Sequence, residues 1–206
     1  MSLENSVQEM VDHLRTNRRF PKYQLERAID AFMCPFIKEY LEKSYKADVI
    51  YAAAEVPFKK DGNYQSTNAD YLFGVMGTDP KWVLVELKTD MASLGEQQLM
   101  RYNTFLEKGA RMDGIFGSIP DISKNSRAWK KYDSLLDSLT NIKMPENALV
   151  DIWYFVPECP KKLKYSPHPK IRFVCFNKMV DTFTSSQHPE LWALVKPLIE
   201  ELKTSA

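Results

Sequence analysis

Near the middle of the chain, Trp82-Val83-Leu84-Val85-Glu86-Leu87-Lys88 closes an apolar run with a carboxylate and an ammonium two positions apart. Read as a strand, alternation puts Val83, Val85 and Leu87 on one face and Leu84, Glu86 and Lys88 on the other. Opposite charges at the end of an apolar strand are unfavourable unless they are paired or bound to a cation. Upstream, Asp70 stands near the start of its own strand candidate, after a polar turn. If the two strands form a hairpin across Gly77-Thr78-Asp79-Pro80, Asp70 approaches Glu86 on the same face. Two carboxylates that close repel each other, which makes the pair a natural seat for a hard divalent cation with oxygen ligands.

The surrounding elements must hold these groups in place. Val7, Met10, Val11 and Leu14 recur at helical spacing and predict a short amphipathic helix over 2–16, broken by Asn17-Arg18-Arg19-Phe20-Pro21. A longer helix is predicted from near Tyr23 through Leu41, kinked or divided at Pro35. Strand candidates follow at Val49–Phe58, Asn68–Met76 and Trp82–Leu87, with Asp61-Gly62 and the Gly77–Pro80 segment as turns. Ser93 and Glu96 have the spacing of a capping box and predict a helix with Ser93 as its N-cap. That helix carries Leu99, Tyr102, Phe105 and Leu106 on one side and stops at Gly109.

Beyond it, the pattern predicts a short strand at Gly114–Ser118 and a helix over Asn125–Thr140. Strands are expected at Leu149–Val156 and Ile171–Phe176, and a terminal helix opens at His188-Pro189. The order helix, three strands, helix, strand predicts an α/β domain with a mixed sheet and helices on both faces.

Asp70, followed by Glu86-Leu87-Lys88 at the end of an apolar strand, resembles the catalytic motif of the PD-(D/E)xK nuclease superfamily. Position 69 is alanine where the motif's name has proline. Gln98 and Tyr102 resemble the Q-x-x-x-Y element of the RecB-type branch, one helical turn apart on the helix after the motif strand. Glu26 stands on the helix preceding the strands, where such nucleases often carry a further acidic residue. Glu55-Val56-Pro57-Phe58 also looks RecB-like, although Glu55 is read as structural rather than catalytic. The resemblance covers residues 23–118, about half of the chain.

The resemblance implies a restriction-endonuclease-like αβββαβ core at 23–118. It would have a helix in front and a strand and helix extension over 119–206, all in one domain. It also implies that Asp70, Glu86 and the Leu87 carbonyl, with Glu26 beside them, would hold Mg²⁺ or Mn²⁺. Lys88 would orient a water or offset negative charge, and Gln98 and Tyr102 would position Lys88, water or substrate. The implied activity is hydrolysis of phosphodiester bonds in DNA rather than RNA. The rivals are a nuclease-fold protein that binds nucleic acid or a protein without cutting, and an interaction domain in which Asp70, Glu86 and Lys88 form a structural network.

The triplet alone carries no weight, because Glu201-Leu202-Lys203-Thr204 repeats Glu86-Leu87-Lys88-Thr89 letter for letter. The second copy ends an amphipathic helix and is expected to be a solvated terminus. No G-x-S-x-G turn and no glycine-rich phosphate loop occur. His13, His168 and His188 are too scattered for a zinc site.

A formal net charge of +1 does not announce a nucleic-acid partner. Lys161, Lys162, Lys164 and Lys170, interleaved with Tyr165 and His168, could still grip a backbone, as could Arg127, Lys130 and Lys131. Cys34, Cys159 and Cys175 are odd in number and form no CxxC, which leads us to expect reduced thiols. The polar N-terminus and the lack of a long apolar run predict no membrane partner and a cytoplasmic location.

Overall fold

A computed structural model describes residues 3–17, 25–59, 66–124, 126–163 and 166–202. In chain order the elements are α1 (Leu3–Asn17), α2 (Leu25–Tyr45), β1 (Val49–Lys59), β2 (Ser66–Val75) and β3 (Lys81–Leu87). A 3-10 turn (Met91–Ser93) leads into α3 (Glu96–Glu107), α4 (Met112–Lys124) and α5 (Trp129–Thr140). The chain finishes with β4 (Leu149–Val156), β5 (Ile171–Cys175), α6 (Phe176–Thr182) and α7 (Pro189–Leu202). The Asp61-Gly62 turn, the 18–21 break, and Tyr23, Asn125, Lys164, Tyr165, Lys203 and Thr204 lie outside the described residues.

The strands form one five-stranded sheet in the order β1-β2-β3-β4-β5. β1, β2 and β3 make an antiparallel meander, while β4 pairs parallel to β3 and β5 parallel to β4. The architecture is therefore α/β with a mixed sheet flanked by helices. β4 and β5 come from the segment read as an extension, and they pair in the same sheet as the motif strand. Covered on both faces, β4 is buried along almost its whole length, as a parallel strand between helical layers must be.

The alternation predicted for β3 is what divides the core. Val83, Val85 and Leu87 pack on one face with α1, α2, α6 and α7, around Phe36, Phe155 and Trp192. Trp82 and Leu84 pack on the other face with α3, α4 and α5, around Tyr102, Ile119 and Tyr154. No helix among the described residues is long and apolar enough to cross a membrane.

Four expectations are corrected, and a fifth, that Pro35 kinks or divides its helix, loses its second alternative. Gly114–Ser118 is not a strand but lies inside α4, whose Ile115, Phe116, Ile119 and Ile122 are buried at helical spacing. The next strand after the motif is β4. Ser93 does not cap α3: it ends the 3-10 turn, which Asp90 caps by accepting from the Ala92 amide, and Gly95 precedes α3. Pro35 does not divide α2, which runs through it as one helix. Cys159 and Cys175 are bridged, leaving Cys34 as the free cysteine. Glu201 is not a solvated end: it pairs with Arg15 and ties α7 to α1.

Candidate active site

β2 and β3 pair in the register Tyr71 to Val85, so Asp70 falls beside Glu86 where the hairpin opens. The Leu87 amide donates to Asp70 Oδ2 at 2.7 Å, pinning that carboxylate against the motif strand. The Lys88 amide donates to the Phe155 carbonyl at 2.8 Å, so the lysine leaves the sheet from a fixed point.

The Lys88 side chain turns back into the site. Its Nζ lies 3.1 Å from Glu86 Oε2, 3.4 Å from Asp70 Oδ2 and 3.6 Å from Glu26 Oε1. It also donates to the Leu87 carbonyl at 3.1 Å. Four oxygen donors from α2, β2 and β3 therefore converge on one ammonium. Among the described residues no three metal-ligating side chains form a ready-made cage; the Lys88 ammonium holds the central position instead.

α3 supplies the next layer. Gln98 Nε2 donates to Glu86 Oε1 at 2.8 Å and the Tyr102 hydroxyl donates to the same oxygen at 2.5 Å. Expected to position Lys88, water or substrate, both hold Glu86, whose other oxygen lies 3.1 Å from Lys88 Nζ. The difference is geometric, because α3 covers the sheet face from which Glu86 projects. Glu86 is fully buried at 0% exposure, and its Oε2 receives no hydrogen bond although Lys88 stands beside it.

Electrostatics show a site where carboxylates are costly to keep charged. Burial, reinforced by Asp70, pushes the Glu86 carboxyl up to about 7, against the pull of Lys88 and Tyr102. Burial likewise raises Asp70 and Glu26, and Lys88 only partly opposes this. Burial alone would lower the Lys88 ammonium, but Glu86, Asp70 and Glu26 outweigh it and keep the lysine charged. Three carboxylates thus share the Lys88 ammonium, and burial pushes all three toward their neutral forms.

These groups line a cleft of about 370 Å³ whose walls include Glu26, Asp70, Glu86, Leu87, Lys88 and Gln98. Sequence reasoning missed Arg27 and Asp30, which also line it from α2. Asp30 follows Glu26 by one helical turn, a spacing that could have revealed it. Glu55, read as structural, is a cleft wall as well, with Asn68 Nδ2 donating to it at 2.9 Å. Its backbone adopts φ 52°, a left-handed conformation that a non-glycine residue keeps only when its surroundings enforce it.

Tyr154 was also missed. It is the β4 partner of Glu86 in the parallel register and is completely buried, and its hydroxyl has no hydrogen-bond partner among the described residues.

Of the basic residues named as possible grips, Lys161 and Lys162 are exposed beyond the end of β4. His168 instead joins the loop to α3, its amide donating to Asn103 Oδ1 at 2.8 Å. Comparisons of the chain with known protein families, with curated proteins and with solved structures give no match.

Proposed function

We propose that this chain is a divalent-metal-dependent nuclease of PD-(D/E)xK type on a restriction-endonuclease-like fold, hydrolysing phosphodiester bonds of DNA in preference to RNA. The observation that supports it is the convergence of Glu26, Asp70, Glu86 and the Leu87 carbonyl around a single ammonium. The donor set is all oxygen, its three carboxylates outnumber the one lysine among them, and the only group beside the buried Glu86 Oε2 among the described residues is the Lys88 ammonium, which a cation could replace. These features fit Mg²⁺ or Mn²⁺.

Asp70, Glu86 and the Leu87 carbonyl would hold the ion, with Glu26 at its flank. When bound there, such an ion polarises a phosphoryl oxygen and lowers the pKa of a water. The remaining work belongs to the chain. Gln98 and Tyr102 fix Glu86 through Oε1, which leaves Oε2 facing Lys88. The Leu87 amide orients Asp70. Lys88, on a flexible four-carbon stem, gives up the central position and meets the phosphate, where its charge offsets the charge developing in the transition state.

The test uses linear and circular DNA, single-stranded DNA and RNA, each incubated with the protein in Mg²⁺ or Mn²⁺. Cleavage is expected, together with its near-complete loss in Glu86→Ala and Lys88→Ala variants that remain folded. Undiminished cleavage by Glu86→Ala would place the activity elsewhere. A second reading, a nuclease-fold module that binds without cutting, draws support from Lys88 already bonding to the carboxylates. Absence of both cleavage and calorimetric metal binding would favour it.

A further inference from the structure

α4 and α5 form a hairpin whose turn lies at the same end of the sheet as the cleft. The far ends of both helices are pinned at the opposite end of the strands. Met112, which opens α4, donates its amide to Ala148, just before β4 begins. Beyond α5, Met144 stands where a Cβ on Gly74 would meet it at 3.1 Å, and Trp82 at the start of β3 donates to the Pro145 carbonyl at 3.1 Å. α4 therefore runs toward the site end and α5 runs away from it. Lys59, closing β1 on the cleft side, pairs with Asp121 of α4 at 3.2 Å and fixes the hairpin turn beside the cleft wall.

This turn gathers an unusual set of residues. Lys124, Arg127, Lys130 and Lys131 fall within one short stretch that contains no Asp or Glu, and all four are exposed. Among them Trp129 is 51% exposed, whereas Trp82, Trp153 and Trp192 are buried. Lys130 Nζ stands 5.5 Å from the centroid of the Trp129 ring. A chain with a net charge of only +1 has thus separated its charges, with an acidic cleft and a basic, aromatic turn at one end of the sheet.

We infer that the α4–α5 turn is a docking platform for a single strand of nucleic acid. Trp129 stacks on an unpaired base, and Lys124, Arg127, Lys130 and Lys131 hold the neighbouring phosphates. The chemistry selects this occupant. Clustered cations complement a polyanion, and an exposed indole among them offers a face to a base, which only an unstacked strand presents. The carboxylates of the cleft repel phosphate, so a strand reaching them needs cations alongside. The inference rests on the nuclease reading for what the strand does next, but the binding step requires no metal.

The experiment is fluorescence titration of the full chain with oligothymidylate in EDTA, where metal-dependent cutting is silent. Because the other tryptophans are buried, the strand should quench Trp129 emission and shield it from acrylamide. Trp129→Ala should remove the signal and, by fluorescence anisotropy of a labelled strand, weaken binding roughly tenfold, with Trp129→Phe restoring most of it. Lys130→Glu with Lys131→Glu should flatten the dependence of binding on salt. Unchanged anisotropy in Trp129→Ala, tighter binding of duplex than of single strand, or no binding of the strand would each overturn the platform. Loss of the platform with metal-dependent cleavage intact leaves the nuclease reading standing. Trp129-dependent binding without any cleavage defeats that reading and keeps the platform.

Discussion

Tyr102 donates its phenolic hydrogen to Glu86 Oε1 at 2.5 Å, from a ring that is itself 1% exposed. A carboxylate that cannot reach water depends on such donors, and among the described residues Gln98 is the only other donor to that oxygen. Tyr102→Phe should therefore destabilise the fold by about 2 kcal/mol, in line with hydrogen bonds to charged groups. Chemical denaturation would measure it. Metal affinity should fall with it, since Glu86 is then free to rotate. A change below about 0.5 kcal/mol would mean that the bond adds little to stability.

Asp70→Asn tests what it costs to keep Asp70 charged. The raised pKa of Asp70 says that the folded state favours the neutral side chain, with burial the largest cause. Asparagine can still accept from the Leu87 amide, so the anchoring bond survives the loss of charge. The metal-free protein should gain stability, read as a higher Tm in EDTA. The rise in Tm that Mn²⁺ gives the unmutated protein should vanish. A lower Tm in EDTA would show that the Lys88 pairing outweighs the repulsion.

Tyr154→Phe removes a buried hydroxyl that has no partner among the described residues. The ring would keep its stacking on Phe173 and its edge contact with Tyr102. Removing an unsatisfied polar atom from the core should stabilise by about 1 kcal/mol. Thermal melts in EDTA decide the matter, and a loss of stability would reveal a partner for that hydroxyl.

Glu39 supplies a pH signature far from the cleft. Burial alone would raise its carboxyl, but bonds from Ser185, Ser186 and Lys43 hold it at about 2. A depressed folded value means that the stabilisation is complete above the ordinary glutamate range and is lost as pH falls toward about 2. The stability difference between the unmutated chain and Glu39→Gln should be largest near neutrality and shrink in acid. A difference constant down to about pH 3 would contradict the assignment.

Glu201→Ala breaks the Arg15 pair between α7 and α1, and Glu201 is not among the residues lining the cleft. Since that pair is partly exposed, the loss should stay within about 1 kcal/mol and cleavage should be unchanged. A cleavage defect would link the α1–α7 layer to the site.

How far the sequence reveals the site depends on whether its signals are local. Alternation along β3 places Glu86 and Lys88 on one face, and the short turn after β2 makes Asp70 their neighbour; both follow from period and spacing. The helical step between Gln98 and Tyr102 is local too, and both reach Glu86. Tyr154 was invisible because its place beside Glu86 depends on β3 pairing with β4, across three intervening helices. The Cys159–Cys175 bridge was missed for the same reason, since Cys175 and Val156 are neighbours only once β4 and β5 pair.

The α4 error differs in kind. A strand was read from the short window at Gly114–Ser118, while Ile115, Phe116, Ile119 and Ile122 already carried the helical period over a longer one. Spacing also misled at Ser93, because a capping box and the end of a 3-10 turn share the same letters.

The mixed pairing of the sheet sets an order of events. β1, β2 and β3 are near neighbours in sequence, but β4 must return past α3, α4 and α5 before it can lie against β3. Loop closure favours the meander first and the parallel pairing later. Asp70 and Glu86 therefore meet while water still surrounds them, and Glu86 loses it only when β4 and α3 close over the hairpin. Dehydrating Glu86 is easier with a proton on it, so refolding should quicken as pH falls from about 7 toward the ordinary carboxylate range. Stopped-flow refolding across that interval would register it, and a flat rate would mean that β4 docks before the acidic hairpin forms.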